Sequence, residues 1–341
     1  MKTQIWNGEK ISTPGIYANV PLDLYHSQDI CDGPSVSSSG LRRVMYENGG
    51  SPAHFYAEWS GNPNRIDPAE KKAWTFGRAV HHLMLGQADF AREFVFRPEE
   101  IPDKAGVLQS WQGNKTICRQ WLAQAAAGGA RWDAVHLTWV RDEKQGPLTV
   151  LIGEDALHIT GIAKALMQHS YIYNKDQPGQ GVLNGAIERS FFWKDKRTGL
   201  WLKARPDSVP TDSGDYADLK TTTSVQLPEI AKAVTNFAYH QQAALIGEGS
   251  RVCADIPMTM FLLVFVEKKP PYCVGFNVIP DAHIREGEKQ NRDALDIIAG
   301  CIKSGKWPGP HEGEILTVGL SDRYLQEAER NRVARQAERA A

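Results

Sequence analysis

No stretch of the 341 residues approaches the roughly 20 consecutive apolar positions that a membrane-spanning helix requires. Nor does the start, Met1-Lys2-Thr3-Gln4-Ile5-Trp6, carry the apolar segment of a secretory signal, so a water-soluble, cytoplasmic protein with no membrane partner is expected. Cysteine is scarce: Cys31, Cys118, Cys253, Cys273 and Cys301 are odd in number, scattered, and never spaced Cys-x-x-Cys. That argues against a disulfide framework and a thiolate metal site, and leaves five reduced thiols. Charge of one sign is lacking too. With 39 Lys and Arg against 40 Asp and Glu, the net −1 produces no field that would mark a polyanionic partner, so any nucleic-acid site must be a local patch. Internal repeats and low-complexity tracts are missing as well. What is present is a globular composition, 42% hydrophobic with ten Trp, in a chain long enough to bury a substantial core.

Residues 1–35, rich in Pro, Gly and Asp, read as an irregular lead-in. Ser37-Ser38-Ser39 offers cap hydroxyls for a helix through Leu41, Val44 and Met45, and Pro52 starts a second short helix. From Ala69 to Leu85, Ala73, Phe76, Val80, Leu83 and Met84 recur at helical spacing, with His81 on that helix and Gly86 at its end. Residues 87–180 are expected to form a mostly helical insertion with one short strand over Leu148 to Ile152. A β-hairpin follows, from Ile187 to Trp193, through a Lys-Asp-Lys-Arg-Thr-Gly turn, and back over Leu200 to Asp207. Tyr216 to Thr221 predicts a third strand, a helix containing Tyr239, Gln242 and Leu245 comes next, and the almost wholly apolar Thr259 to Val266 has the texture of a buried strand. Cys273 to Val278 can pair with it, helical pattern resumes over Ala282 to Ile302, and a charged helical tail occupies 321–341. The expected class is α/β: one domain over 1–341, with helices at 35–85 and a central mixed sheet at 186–310, flanked by helices.

The chemistry-bearing pattern lies on the third strand. Residues two apart on a strand share a face, so Asp218 and Lys220 project together while Leu219 faces the other way. Asp207, at the end of the hairpin and before a turn, can bring a second carboxylate to the same sheet edge. Two carboxylates converging on one point repel unless a cation sits between them. Hard oxygen ligands with room for water and a phosphate suit Mg²⁺, which would lower the pKa of a bound water and neutralise charge on a scissile phosphate. Lys220 could position or activate the attacking water, or stabilise the phosphate by its charge. Tyr239 and Gln242, three apart, share a helix face, so Gln242 could bond to the metal site or to a DNA phosphate. Arg189, Lys194, Lys196, Arg197, Lys203 and Arg205 concentrate positive charge on the hairpin, as phosphate contacts require.

Four short motifs stand in order: Gly77-Arg78-Ala79-Val80-His81, Arg205-Pro206-Asp207, Asp218-Leu219-Lys220-Thr221 and Tyr239-His240-Gln241-Gln242-Ala243-Ala244. The series resembles the exodeoxyribonuclease VIII family of phages and prophages, within the PD-(D/E)xK nuclease superfamily. Ser51-Pro52-Ala53-His54-Phe55 is similar to the family's opening helices and Trp307-Pro308-Gly309 to its closing motif, so the resemblance spans roughly residues 35–310. It implies a restriction-endonuclease-like core in which Asp207 and Asp218 bind metal, Lys220 is the catalytic lysine, and His81 adds an imidazole ligand. His82, its neighbour, points elsewhere and ranks second. The imidazole makes Mn²⁺ a plausible substitute for Mg²⁺. Glu188 corresponds to a position at which related nucleases place a carboxylate near the metal.

By that resemblance the expected activity is degradation of linear double-stranded DNA from its ends, 5′→3′, leaving 3′ single strands for recombination in a bacterial host cell. A single-strand annealing protein would be a partner, and resemblance to ring-forming phage exonucleases implies a homo-oligomeric ring. The expected DNA contacts are Arg205, Tyr239, Lys203 and Arg197. Two rival readings stand beside this one: an endonuclease or repair nuclease of the same superfamily, and a non-catalytic DNA-binding protein on the same fold. A repair nuclease built on an iron–sulfur cluster would need a cysteine set that this chain does not have.

Overall fold

The computed structural model describes residues 2–66, 72–85, 90–173, 176, 180–187, 189–210 and 213–340. The chain opens with strands β1 (Thr3–Ile5) and β2 (Gly15–Ala18), helix α1 (Leu22–His26) and strand β3 (Ser35–Val36). Helices α2 (Ser38–Val44), α3 (Pro52–Glu58) and α4 (Lys72–Leu85) follow, with a 3₁₀ turn at Tyr46–Asn48. The start of α3 is set locally: the Ser51 hydroxyl accepts from the His54 backbone N–H, and Pro52 supplies a preset φ.

The insertion is mixed, where a mostly helical segment was expected. After α5 (Phe90–Glu93) come β4 (Phe94–Phe96), β5 (Glu100–Pro102), β6 (Leu108–Ser110), α6 (Thr116–Ala127), β7 (Ala130–Asp133), β8 (Thr138–Arg141), β9 (Thr149–Leu151) and α7 (Gly153–Met167). Gly128 and Gly129, at φ 71° and 73°, stop α6 and turn the chain into the β7–β8 hairpin. There Trp132 opposes Trp139 and both rings meet the buried Trp121, so a tryptophan cluster makes a small core of its own.

The rest of the chain runs β10 (Ser190–Lys194), β11 (Trp201–Ala204), β12 (Asp215–Thr222), α8 (Leu227–Asn236), α9 (Tyr239–Ala254), β13 (Met260–Glu267), β14 (Val274–Val278), α10 (Asp281–Ser304) and α11 (Asp322–Ala340). Strands order as β1-β2-β10-β11-β3 in one sheet and β12-β13-β14 in another. The lead-in expected to be irregular therefore supplies three strands. Its pairing of Ile16 with Phe191 is non-local, and no local pattern announces it. A bridge between Ser208 and Ala217 joins the two sheets beside Asp207.

In the three-stranded sheet, β13 lies parallel to β12 and antiparallel to β14. Alternate residues serve two cores. Tyr216, Phe261, Leu263 and Phe265 pack with Ala243 and Ile246 of α9 and with Leu295 and Ile298 of α10. Ala217, Leu219, Leu262, Val264 and Val266 pack with Ala79 and Val80 of α4 and with Ile159, Ile162 and Leu166 of α7. Burial on both faces is why β13 is a continuous apolar run instead of an alternating one. α10 keeps Gly287, Asn291, Ala294, Leu295, Ile298 and Cys301 buried on one stripe, whereas α11 is polar nearly all round. No helix among the described residues is long and apolar enough to cross a membrane.

Candidate active site

Among the described residues β12 pairs along its length with β13 and on its other side makes a single bridge, Ala217 to Ser208, so that side has backbone groups to spare. Asp207, just beyond β11, takes one of them: its Oδ2 accepts from the Leu219 N–H at 2.7 Å. Its Oδ1 lies 3.5 Å from Nδ1 of His81, which α4 brings in from the opposite wall. Asp218, from β12 and only 2% exposed, accepts from the Gln242 side-chain amide of α9 at 2.8 Å and forms an ion pair with Lys220. The Lys220 ammonium also stands 5.1 Å from the centre of the Tyr239 ring. His81, Asp207, Asp218, Lys220, Tyr239 and Gln242 thus come from four chain segments to the middle of β12.

Electrostatics separates the two carboxyls. Burial is the largest influence on Asp218 and raises its pKa, and the nearby Asp207 charge adds to this against the opposing pull of Lys220. Burial pushes Asp207 the same way, but His81, Lys220 and the Leu219 N–H outweigh it and hold that carboxyl below its ordinary value. For His81, burial favours the neutral ring, yet Asp207 overcomes it and raises the pKa. Lys220 is likewise raised, because Asp218 and Asp207 outweigh its burial. Tyr239 is raised chiefly by burial.

The donor set matches a hard divalent cation in kind. A buried carboxylate, Asp218, and a half-buried one, Asp207, lie close enough to influence each other, and the positive charge beside them is drawn from Lys220 and from the proton that Asp207 favours on His81. Among the described residues no three His, Cys, Asp or Glu side chains converge closely enough to hold a metal ion. Glu188 lies outside the described residues. His82 turns away, edge-on to Phe94 with centroids 5.2 Å apart.

The hairpin cations do not gather at this centre. Arg197 pairs with Asp296 of α10. Arg205 donates to the Val20 carbonyl at 2.7 Å. Lys203, 3% exposed, donates to the Ser27 carbonyl at 3.0 Å, and burial lowers its pKa to about 8. It lines a cavity of about 220 Å³ together with His26, Arg42, Arg43 and Arg65. Sequence reasoning singled out none of those four, since they are brought together only by tertiary packing of α1, α2 and the segment after α3.

Residues 37–315 match the family described as a PDDEXK-like domain of unknown function, DUF3799. No protein of curated function matches the sequence. Among solved structures, a crystal structure from Eubacterium rectale, described as a candidate exonuclease, shares 15% identity. The alignment covers 90% of this chain and 98% of that one, with a TM-score of 0.51, which is a likeness of fold. The strand-borne Asp-x-Lys, the second aspartate beside it and the helix-flanked mixed sheet agree with that match, and the chain belongs to the PDDEXK-like family DUF3799.

Proposed function

We propose that this chain is a Mg²⁺-dependent exodeoxyribonuclease that degrades linear double-stranded DNA. The observation that carries the reading is the cluster on β12 in which Asp207 accepts from the Leu219 N–H and faces His81 while the neighbouring Asp218 pairs with Lys220. Asp207 and Asp218, with His81 drawn closer than it stands in the metal-free arrangement, would hold the ion, and Mn²⁺ would substitute for Mg²⁺ because an imidazole is among the donors. A cation there supplies a water of lowered pKa and positive charge against the phosphate. Gln242 fixes the orientation of the Asp218 carboxylate through its amide. Lys220, close-packed over Tyr239, keeps its ammonium directed at the cluster, where it orients the attacking water or stabilises charge on the phosphate. The cavity lined by Arg42, Arg43 and Arg65, in which Arg43 pairs with Glu58, supports contact with the DNA backbone.

The similarity of motifs to the phage exodeoxyribonuclease VIII family narrows the reading to 5′→3′ resection that leaves 3′ single strands, with an annealing protein as partner. A closed ring of identical subunits fits a chain of net charge −1, because encirclement retains DNA without strong long-range attraction. One assay tests the activity: linear duplexes labelled at the 5′ or the 3′ end, beside a closed circle, with and without Mg²⁺. Loss of 5′ label from linear DNA alone, and only with metal, is expected. Cutting of the circle would favour an endonuclease of the same superfamily, and no loss of any substrate would favour a non-catalytic DNA-binding protein. Sedimentation at working concentration tests the ring, and a monomer would defeat it.

A further inference from the structure

We infer that Asn291 of α10 is a positioning residue for the active centre, acting on Asp218 through the first turn of α9. This rests on the reading of Asp218 as part of that centre. The first turn of α9 carries both Tyr239, which faces Lys220, and Gln242, which binds Asp218. That turn lacks a device of its own to hold it. Its N-cap, Ala238, is a non-glycine residue in the left-handed region at φ 49°, and no side chain caps the free N–H groups. The rotation of the turn about the helix axis must therefore be set from outside.

Gln241, fully buried, is where the outside takes hold. The Asn291 side chain binds this one residue twice: Nδ2 donates to the Gln241 carbonyl at 3.0 Å, and Oδ1 accepts from Gln241 Nε2 at 3.2 Å. The far end of the Gln241 amide accepts from Asn48 Nδ2 at 2.8 Å, which ties the same turn to the 3₁₀ segment of the N-terminal wall. One residue earlier, the His240 ring bonds to Gln290 at 2.8 Å. Close approach of the helices is permitted by Gly287, where a Cβ would meet the His240 carbonyl oxygen at 2.4 Å. Consecutive helical residues point about 100° apart, so clamping Gln241 against α10 directs Gln242 toward β12. A buried, fully bonded amide pair is a poor way to gain stability compared with apolar residues of the same size, but it specifies one register and rotation.

The test compares Asn291→Leu, which keeps the bulk and removes both hydrogen bonds, with a core substitution at Ile298 (Ile298→Val or Ile298→Ala) chosen to give the same fall in Tm. Two readouts are taken without DNA. The first is the Gln242 side-chain amide resonance in ¹⁵N-labelled protein, assigned by its loss in Gln242→Leu. The second is Mn²⁺ binding by electron paramagnetic resonance. In Asn291→Leu the amide resonance should move or broaden and Mn²⁺ affinity should fall on the order of tenfold, the size usual for outer-sphere partners. The Ile298 variant should change neither. Should Asn291→Leu fail to fold, Asn48→Ser removes one bond of the same network and should shift the resonance in the same sense by less. An unmoved Gln242 amide with unchanged Mn²⁺ affinity would overturn the inference. If wild-type protein degrades no DNA in Mg²⁺, the reading as a nuclease fails, and the amide resonance still decides whether Asn291 positions Gln242.

Discussion

His81 on α4 and Asp207 beyond β11 stand 3.5 Å apart although 126 residues separate them, and Asp207 raises the pKa of the imidazole despite its burial. In the metal-free protein this is an ion pair whose contribution to stability is complete below the ordinary histidine value of 6.5 and is lost as pH rises through the raised folded value. A metal must displace that proton, so cation affinity should climb over the same pH interval. His81→Ala should weaken Mn²⁺ binding and flatten that climb, with excess metal restoring part of the activity. His82→Ala, whose ring turns edge-on to Phe94 and away from Asp207, should be milder. Mn²⁺ titrations at several pH values check both variants; the reverse ranking would mean that the wrong face of α4 carries the ligand.

Asp218→Ala should abolish cleavage of linear duplex. Mutual repulsion of the two carboxylates, taken alone, suggests that the metal-free variant would gain stability, but the ion pair with Lys220 points the other way. Removing Asp218 leaves the half-buried Lys220 ammonium without its nearest partner, a loss below the about 3–5 kcal/mol of a fully buried pair and moderated further by the remaining Asp207 charge. Pairing the change with Lys220→Met should return much of that loss. Denaturant unfolding of the single and double variants measures it, and a single variant as stable as wild type would show that Asp207 alone balances Lys220.

Lys220→Ala should slow the chemical step by about 10²–10³, the scale for removing one group that stabilises a transition state, while leaving metal affinity close to wild type. Single-turnover cleavage and Mn²⁺ binding separate the two. Full activity would reassign Lys220 to a structural ion pair.

Asp195, buried at the hairpin turn, accepts from Arg292 at 2.7 and 3.0 Å and from the Thr198 hydroxyl and N–H. Burial would raise its pKa, but these partners hold it at about 2, below the ordinary 3.8. Its contribution to stability is therefore present above about pH 4 and lost as pH falls toward 2. Asp195→Asn should melt below wild type at pH 7, and the gap should narrow on acidification. Melting curves from pH 7 to pH 2 test this, and a constant gap would remove the acid linkage from this residue.

The local parts of this protein are legible in its sequence. Period-two alternation puts Asp218 and Lys220 on one face of β12, the apolar run of β13 announces burial on both sides, and helical spacing marks α4 and α10. The order of four short motifs is also enough to point to the superfamily to which the family match independently leads. What tertiary structure decided is everything that depends on closing long loops. Strand β2 enters the sheet through Phe191, 175 residues from Ile16, and the insertion folds as short strands because two tryptophans meet across a hairpin over a third. The hairpin cations, alike on paper, part company for the same reason: Arg197 finds Asp296, Lys203 is buried against Ser27, and only the fold determines which charges remain near a phosphate. The grip of Asn291 on Gln241 likewise has no local signature, since buried amides are chosen by the partners that a distant helix brings to them.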